Sequence, residues 1–352
     1  MQVGSSGQAQ SVFGACREIY GRLSDDESRR VFAGRCALSS TGDWNFFKWA
    51  VAGTPWARRF AALVQKSPGD GQMVFSAGGW GRDAARWMNT CVGFIDNDVR
   101  LQGKTIDRHP VHAPEDVLRI GFFGSIVIVN YRDHLDIKRQ CLSMGIPEER
   151  ILDAGPIVED AIRAQYFDLE ALPHDAEEVF VDVGCLDGDT SIGFARWSGG
   201  MYRRIYCLEP DLACLEVCRR NLSGIAADGR VSLIAKGAYS ENCRMGLAMR
   251  ENGMSSVQPQ GGEEIEVARL DDIFHEERVT FIKMDIEGAE MEALKGAERL
   301  IREQRPTLAI SVYHRFEDIL LIPAFVSECQ PDYRLYLRHY SLGGGETVLY
   351  AV

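Results

Sequence analysis

The stretch Val181-Asp182-Val183-Gly184-Cys185-Leu186-Asp187-Gly188-Asp189-Thr190 constrains the fold more than any other part of the chain. An apolar run, Val179 to Val183, leads into it, and an amphipathic stretch, Ser191 to Trp197, follows. The order reads as strand, glycine turn, helix. Gly184 and Gly188 let the backbone approach a ligand where a side chain would block it. Three acids, Asp182, Asp187 and Asp189, crowd the turn. They suit a nucleoside that carries an amine and a positive charge better than a pyrophosphate, whose anionic oxygens would sit among them.

Two further segments repeat the pattern. Arg204 to Leu208 reads as a buried strand and ends in Glu209-Pro210-Asp211, roughly twenty residues after the turn, where Rossmann-like folds bind ribose hydroxyls. A solvated acid at a strand end is the plainer alternative. Phe281-Ile282-Lys283-Met284-Asp285-Ile286-Glu287-Gly288-Ala289-Glu290 is again a strand ending in acids and a glycine, with a helix from Met291 to Arg302. The five expected parallel strands are Val179–Val183, Arg204–Leu208, Val231–Ala235, Val279–Met284 and Thr307–Tyr313. A last pair, Tyr333–Tyr340 and Glu346–Val352, is joined by the glycines of Ser341-Leu342-Gly343-Gly344-Gly345. The fold class is α/β.

With these motifs in order, residues from about Gln165 onward resemble the FkbM family of S-adenosylmethionine-dependent methyltransferases. FVDVGCLDGDT, YCLEP, RLDDIF and FIKMDIEGAEMEALKGA carry the resemblance, and it runs on through LAISVYHRFEDILLIP and YLRHYSLGGGETVLYA. It implies a seven-stranded Rossmann-like class I methyltransferase fold with its ligands at the C-terminal strand ends. Asp182, Gly184 and Gly188 are then expected at the methionine part of the cofactor, with Cys185, Asp189 and Thr190 on the same turn. Glu209, beside Pro210, is expected at the ribose, and Gly237-Ala238 at the adenine. Tyr166, in Gln165-Tyr166-Phe167, either covers the pocket or packs between elements. The segment Ser240 to Glu263, containing Met254-Ser255-Ser256, is expected as a mobile wall for the substrate.

Methyl transfer is an in-line displacement at carbon, so the protein aligns the nucleophile and excludes water. A hydroxyl nucleophile also needs a base or a metal. Asp285 and Glu287 after the fourth strand, and His314 after the fifth, are the candidates. His314 is expected as the proton acceptor, at an imidazole value near 6.5. A divalent cation between Asp285 and His314 is the alternative; the reading otherwise needs no metal. Glu290 is expected in a structural salt bridge, and His339 in a structural or substrate-shaping role.

Composition sets the outer limits. The chain of 352 residues suggests two domains. Its formal charge of -12 argues against a nucleic-acid partner, which would require a basic face. No run is long and apolar enough for a membrane span, and the start lacks a signal-peptide pattern. Ten cysteines without a CxxC pair suggest reduced thiols and a cytoplasmic location. Zinc at Cys207, Cys214 and Cys218 is conceivable; buried thiols acting as small apolar groups are the expected role.

The first half reads as an accessory region. Residues up to about Gln10 are expected to be mobile, and residues 1–65 otherwise form a helical segment with a helix starting near Asp25 or Asp26. Phe46, Phe47, Trp49 and Trp56 are expected in one aromatic packing layer. Residues 66–156 form a smaller Rossmann-like domain: strand Met73–Ala77, turn Ser76-Ala77-Gly78-Gly79-Trp80-Gly81-Arg82, and a second strand ending at Asp96. It resembles the nucleotide-binding modules of nucleotide-sugar enzymes. Binding of a nucleotide or nucleotide-sugar is one reading. A scaffold or dimerisation unit is the other, leaving a homo-oligomer open. A linker at Asp153 to Ile157 leads into the methyltransferase domain, residues 157–352. The expected activity is O-methylation of a sugar, glycan or secondary metabolite, with a small-molecule or glycan acceptor. Methylation of nitrogen or carbon, a nucleotide-sugar or S-adenosylmethionine binder without turnover, and a dehydrogenase on the first glycine turn are the competing readings.

Overall fold

The computed structural model describes residues 6–67, 71–249, 255–258 and 261–352. The chain forms two compact units, each drawn from separate stretches. Residues 1–33, 166–338 and 347–352 make one, and residues 34–165 with 339–346 make the other. These segments differ from the contiguous divisions expected at residues 65 and 156. The stretch expected as a linker instead comprises the last strand of the second unit and the start of the helix Gly155–Ala164.

The second unit is built on β1 (Gln72–Phe75), β2 (Cys91–Ile95), β3 (Thr105–Ile106), β4 (His109–His112), β5 (Ser125–Ile128) and β6 (Ile151–Asp153), in the order β3-β4-β2-β1-β5-β6. All neighbours but the β3/β4 pair run parallel. This is the expected Rossmann-like arrangement, and Met73, Phe75, Ile95, Ile126 and Ile128 sit in its core. Phe47 and Trp56 are buried, whereas Phe46 and Trp49 are exposed, so the expected aromatic layer is half formed. His339 is buried between Phe47 and Trp56, and its Nε2 lies 2.7 Å from the Ser341 carbonyl. Burial first, then the nearby Arg35 charge, pushes its imidazole down to about 3, so it is a neutral core residue.

The first unit holds β7 (Val179–Val183), β8 (Arg204–Leu208), β9 (Val231–Ile234), β10 (Gly237–Ala238), β11 (Cys243–Met249), β12 (Ser255–Gln258), β13 (Glu263–Ala268), β14 (Phe281–Met284), β15 (Thr307–Ser311), β16 (Leu335–His339) and β17 (Thr347–Ala351). Seven of them form one sheet in the order β16-β17-β15-β14-β7-β8-β9. The strands from β15 to β9 are parallel, and β17 pairs antiparallel with β15. The central strands β7 and β14 are buried along their whole length and read as apolar runs broken by Asp182 and Lys283. One face carries an aromatic core: Phe180 stacks on Phe194 with centroids 4.2 Å apart and meets Phe281 edge-on.

Two expectations change here. The helix Ser6–Arg22 begins inside the stretch expected to be mobile. The expected mobile wall contains β11 and β12, which join β10 and β13 in a separate four-stranded sheet. Alternate residues of β11 and β13 (Met245, Leu247, Ile265 and Val267) share a small core, and burying them holds these two strands together. Met254 lies outside the described residues. The helix Asp26–Thr41 starts where expected, and Asp25 caps it by accepting from the Ser28 N–H at 2.8 Å.

Replacing Phe180 with Ala should lower stability by about 3–5 kcal/mol through lost burial and an unfilled cavity. Urea denaturation checks this; a loss below about 1 kcal/mol would mean that the aromatic cluster is not the organising core.

Candidate active site

The strand ends of β7, β8, β14 and β15 converge at one rim of the seven-stranded sheet, as parallel α/β sheets require. Two buried polar residues underlie it. Asp182 and Lys283 occupy paired positions on β7 and β14, and they are 0% and 3% exposed. Their charges meet at 3.0 Å. Asp182 also accepts from Ser191 Oγ at 2.7 Å, and Lys283 Nζ donates to the Gly184 carbonyl at 2.7 Å. Burial works against a charged amine, but Asp182 and Asp285 outweigh it and hold Lys283 above its ordinary value. Asp182 was expected to touch the cofactor. Instead it is sealed beneath the turn, where it fixes the turn's shape through Lys283 and Ser191.

The turn itself follows from its glycines. Gly184 has φ +77°, and a Cβ there would lie 2.1 Å from the Asp285 carbonyl oxygen. Gly188 has φ +85° and closes on Leu222 and Cys218. Between them, the Leu186 N–H donates to Glu209 Oε2 at 3.2 Å, and the Asp211 N–H donates to Oε1 at 3.0 Å. Glu209 thus braces the turn from the end of β8. Each of its oxygens keeps a further lone pair. Burial raises this carboxyl to about 7, against the pull of the two backbone N–H groups. Asp189 and Thr190 open the helix Asp189–Trp197. Pro210 lies beside the buried Gly237-Ala238 strand, where a Cβ on Gly237 would contact its ring at 3.7 Å.

Cys185, on the turn, is buried with Cys207 and Cys218, and their sulfurs lie within 4.8 Å of one another. Cys214, considered with Cys207 and Cys218 from spacing, does not belong to this group.

The second half of the rim centres on Asp285. Tyr166 Oη donates to Asp285 Oδ2 at 2.9 Å, and Tyr313 Oη donates to Oδ1 at 3.2 Å. Tyr166 is buried and has φ +75°; its own N–H donates to the Tyr350 hydroxyl at 2.9 Å. Glu287 also has positive φ, at 56°, a conformation that costs energy outside glycine and that gathers at functional sites. The His314 side chain is 5% exposed, with Nε2 3.5 Å from Asp285 Oδ1 and 3.7 Å from Glu287 Oε1. Its Nδ1 is 2.8 Å from Glu290 Oε1. Burial would lower this imidazole, but the adjoining Glu290, with Asp285 and Glu287, raises it to about 9. The expected acceptor near 6.5 is corrected accordingly: at neutral pH His314 already holds a proton.

The turn, Glu209, Asp285, Glu287 and His314 therefore meet at one rim. Sequence reasoning gave Lys283 no role and left out Tyr313 and Ser191. A lysine inside an apolar strand, in register with an aspartate on the neighbouring strand, is the signal that could have found the first.

Residues 182–335 match the family model described as the methyltransferase FkbM domain. Among solved structures, an FkbM methyltransferase from Methylobacillus flagellatus KT is similar, with a TM-score of 0.51 and 22% identity, over 86% of this chain and 96% of that one. An rRNA methylase from Streptococcus thermophilus has a TM-score of 0.34 and 17% identity, over 51% of this chain and 87% of that one. Fibrillarin from Aeropyrum pernix, solved with bound S-adenosyl-L-methionine, has a TM-score of 0.36 and 14% identity, over 55% and 74%. No curated protein sequence matches. The match over residues 182–335 is to the FkbM methyltransferase domain, and the seven-stranded sheet has the class I S-adenosylmethionine-dependent methyltransferase fold.

Replacing Lys283 with Met should cost about 3–5 kcal/mol, because it leaves the Asp182 charge buried without its partner. Changing Asp182 to Asn in the same chain should return part of that loss in a denaturation double-mutant cycle. A neutral Lys283→Met would show that the pair does not hold the turn.

Proposed function

We propose that the chain transfers a methyl group from S-adenosylmethionine to a hydroxyl of a small-molecule, sugar or glycan acceptor. The observation that carries this is the convergence of two chemistries at one strand-end rim: a glycine turn braced by Glu209, and an acid–imidazole cluster around Asp285.

The residues present fit the cofactor. The backbone at Gly184 and Gly188 leaves room for close approach, and Glu209 retains acceptor capacity for ribose hydroxyls. Cys185, Asp189 and Thr190 border the methionine end, and Pro210, Gly237 and Ala238 the adenine end. When bound, the cofactor supplies a methyl group already activated by a positive sulfur. The protein's work is then alignment and proton removal. Asp285, fixed by the Tyr166 and Tyr313 hydroxyls, and Glu287 hold the acceptor hydroxyl and take its proton, and the protonated His314 beside them orients the two carboxylates. Tyr166 both orients Asp285 and closes the rim beside the turn.

The second unit supports a nucleotide-sugar role less directly. Asp96, at its second strand end, spends Oδ2 on the Ala77 N–H and Oδ1 on the Asp98 N–H, which braces the Ser76 turn from within.

Glu209→Gln should weaken S-adenosylmethionine binding about tenfold or more, measured by calorimetry. A carboxylate accepts hydroxyl protons best when ionised. Wild-type affinity should therefore fall as pH drops below about 7, and the Gln variant should lose that dependence. Equal affinity in both chains would remove Glu209 from the cofactor site. His314→Ala should lower turnover about a hundredfold or more with cofactor affinity retained. The assay is release of S-adenosylhomocysteine across a panel of nucleotide-sugars and glycosides; an unimpaired variant would show that His314 does not orient the acidic cluster.

A further inference from the structure

We propose that Asp285, Glu290 and His314 form a binding site for a divalent first-row cation, with Glu287 at its edge. Each of the three offers a ligand atom, and these atoms lie within 4.8 Å of one another. Ligands held at roughly 2.1 Å from one cation are separated by at most roughly 4.2 Å, so small side-chain movements close the set.

The second observation concerns unmet polar atoms. His314 Nδ1 lies 2.8 Å from Glu290 Oε1 as an ion pair that does not meet hydrogen-bond geometry. Neither ring nitrogen of His314 has a hydrogen-bond partner, and neither does Glu290 Oε2, although the Glu290 side chain is only 1% exposed. Buried polar atoms of this kind normally find partners. Short, off-axis N···O contacts are what two neighbouring ligands of one cation make. Glu290 is not simply a salt-bridge residue on its helix. Its Oε1 accepts from the Ile286 N–H at 2.8 Å, which fixes the carboxylate at the mouth of the turn after β14.

The donor set decides the class of ion. Two carboxylates and one imidazole are too oxygen-rich for a closed structural zinc site, and they include a nitrogen that magnesium rarely selects. A mixed N,O ion such as Mn2+ fits, with positions left for solvent or an acceptor oxygen. The Tyr166 and Tyr313 hydroxyls, both on Asp285, are the outer groups that orient a ligating carboxylate. The cation's role toward the acceptor rests on the methyltransferase reading, because its charge would hold the hydroxyl oxygen and make the proton easier to remove. Binding of the cation does not rest on that reading.

The test uses the full chain, stripped with a chelator and titrated with Mn2+ by electron paramagnetic resonance. S-adenosylmethionine binding is measured on the same sample. The site predicts one tightly held Mn2+ per chain. His314→Gln and Glu290→Gln should each weaken it about tenfold or more. Retained cofactor binding shows that each variant is folded; where one fails this check, the other decides. If Mn2+ binding is absent in the wild-type chain, or unchanged in a folded variant, the cation site is overturned while the methyltransferase reading stands. If Mn2+ binds as described but the cofactor does not, the site holds and the methyltransferase reading falls.

Discussion

The Lys283 ammonium is the point on which the rest of the site depends. It joins Asp182 on β7 to its own strand β14 and caps the Gly184 carbonyl at the start of the turn. A charge pair this deep is expensive to bury and is tolerated only when its remaining hydrogen-bonding capacity is met. Ser191 meets part of it for Asp182, and Gly184 for Lys283. The result fixes where the turn leaves the sheet, which places Leu186 within reach of Glu209. The Tyr166 ring lies 5.5 Å from the same ammonium, and its hydroxyl reaches Asp285. One buried ammonium thereby links the glycine-turn half of the rim to its acid–imidazole half.

Much of this was legible in the sequence. Each glycine turn follows an apolar run and precedes an amphipathic one, so its type and place could be read without the structure. The tip acids Glu209 and Asp285 were found because parallel sheets put ligand-facing residues at strand ends. What could not be read was how each acid spends its oxygens. Asp182 and Glu209 look alike in sequence, yet one is sealed by a lysine from another strand and the other keeps part of its capacity. That difference depends on strand register, which local pattern does not carry. The imidazole of His314 shows the same limit, since its charge state is set by three carboxylates that only the fold assembles.

The larger organisation was hidden for a related reason. Hydrophobic period gives elements, not the order in which a chain revisits its cores. The first 33 residues and the last six belong to the same unit as the seven-stranded sheet, while residues 339–346 belong to the other. Arg338 illustrates the first point, with its guanidinium donating to Asp25 Oδ2 at 2.6 Å across more than three hundred residues of sequence. Met245 and Leu247 on β11 and Ile265 and Val267 on β13 alternate toward one core, a strand pattern that the glycines and charges around them obscure in the sequence.

We propose that the turn at Gly184–Gly188 and the acid at Glu209 form a nucleoside site for a methyl donor. Native mass spectrometry of the full chain, mixed with S-adenosylmethionine, S-adenosylhomocysteine, NAD and a nucleotide-sugar in competition, tests it most directly. One S-adenosylmethionine or S-adenosylhomocysteine is expected bound per chain, not displaced by the other two. Retention of NAD or the nucleotide-sugar in its place would contradict it.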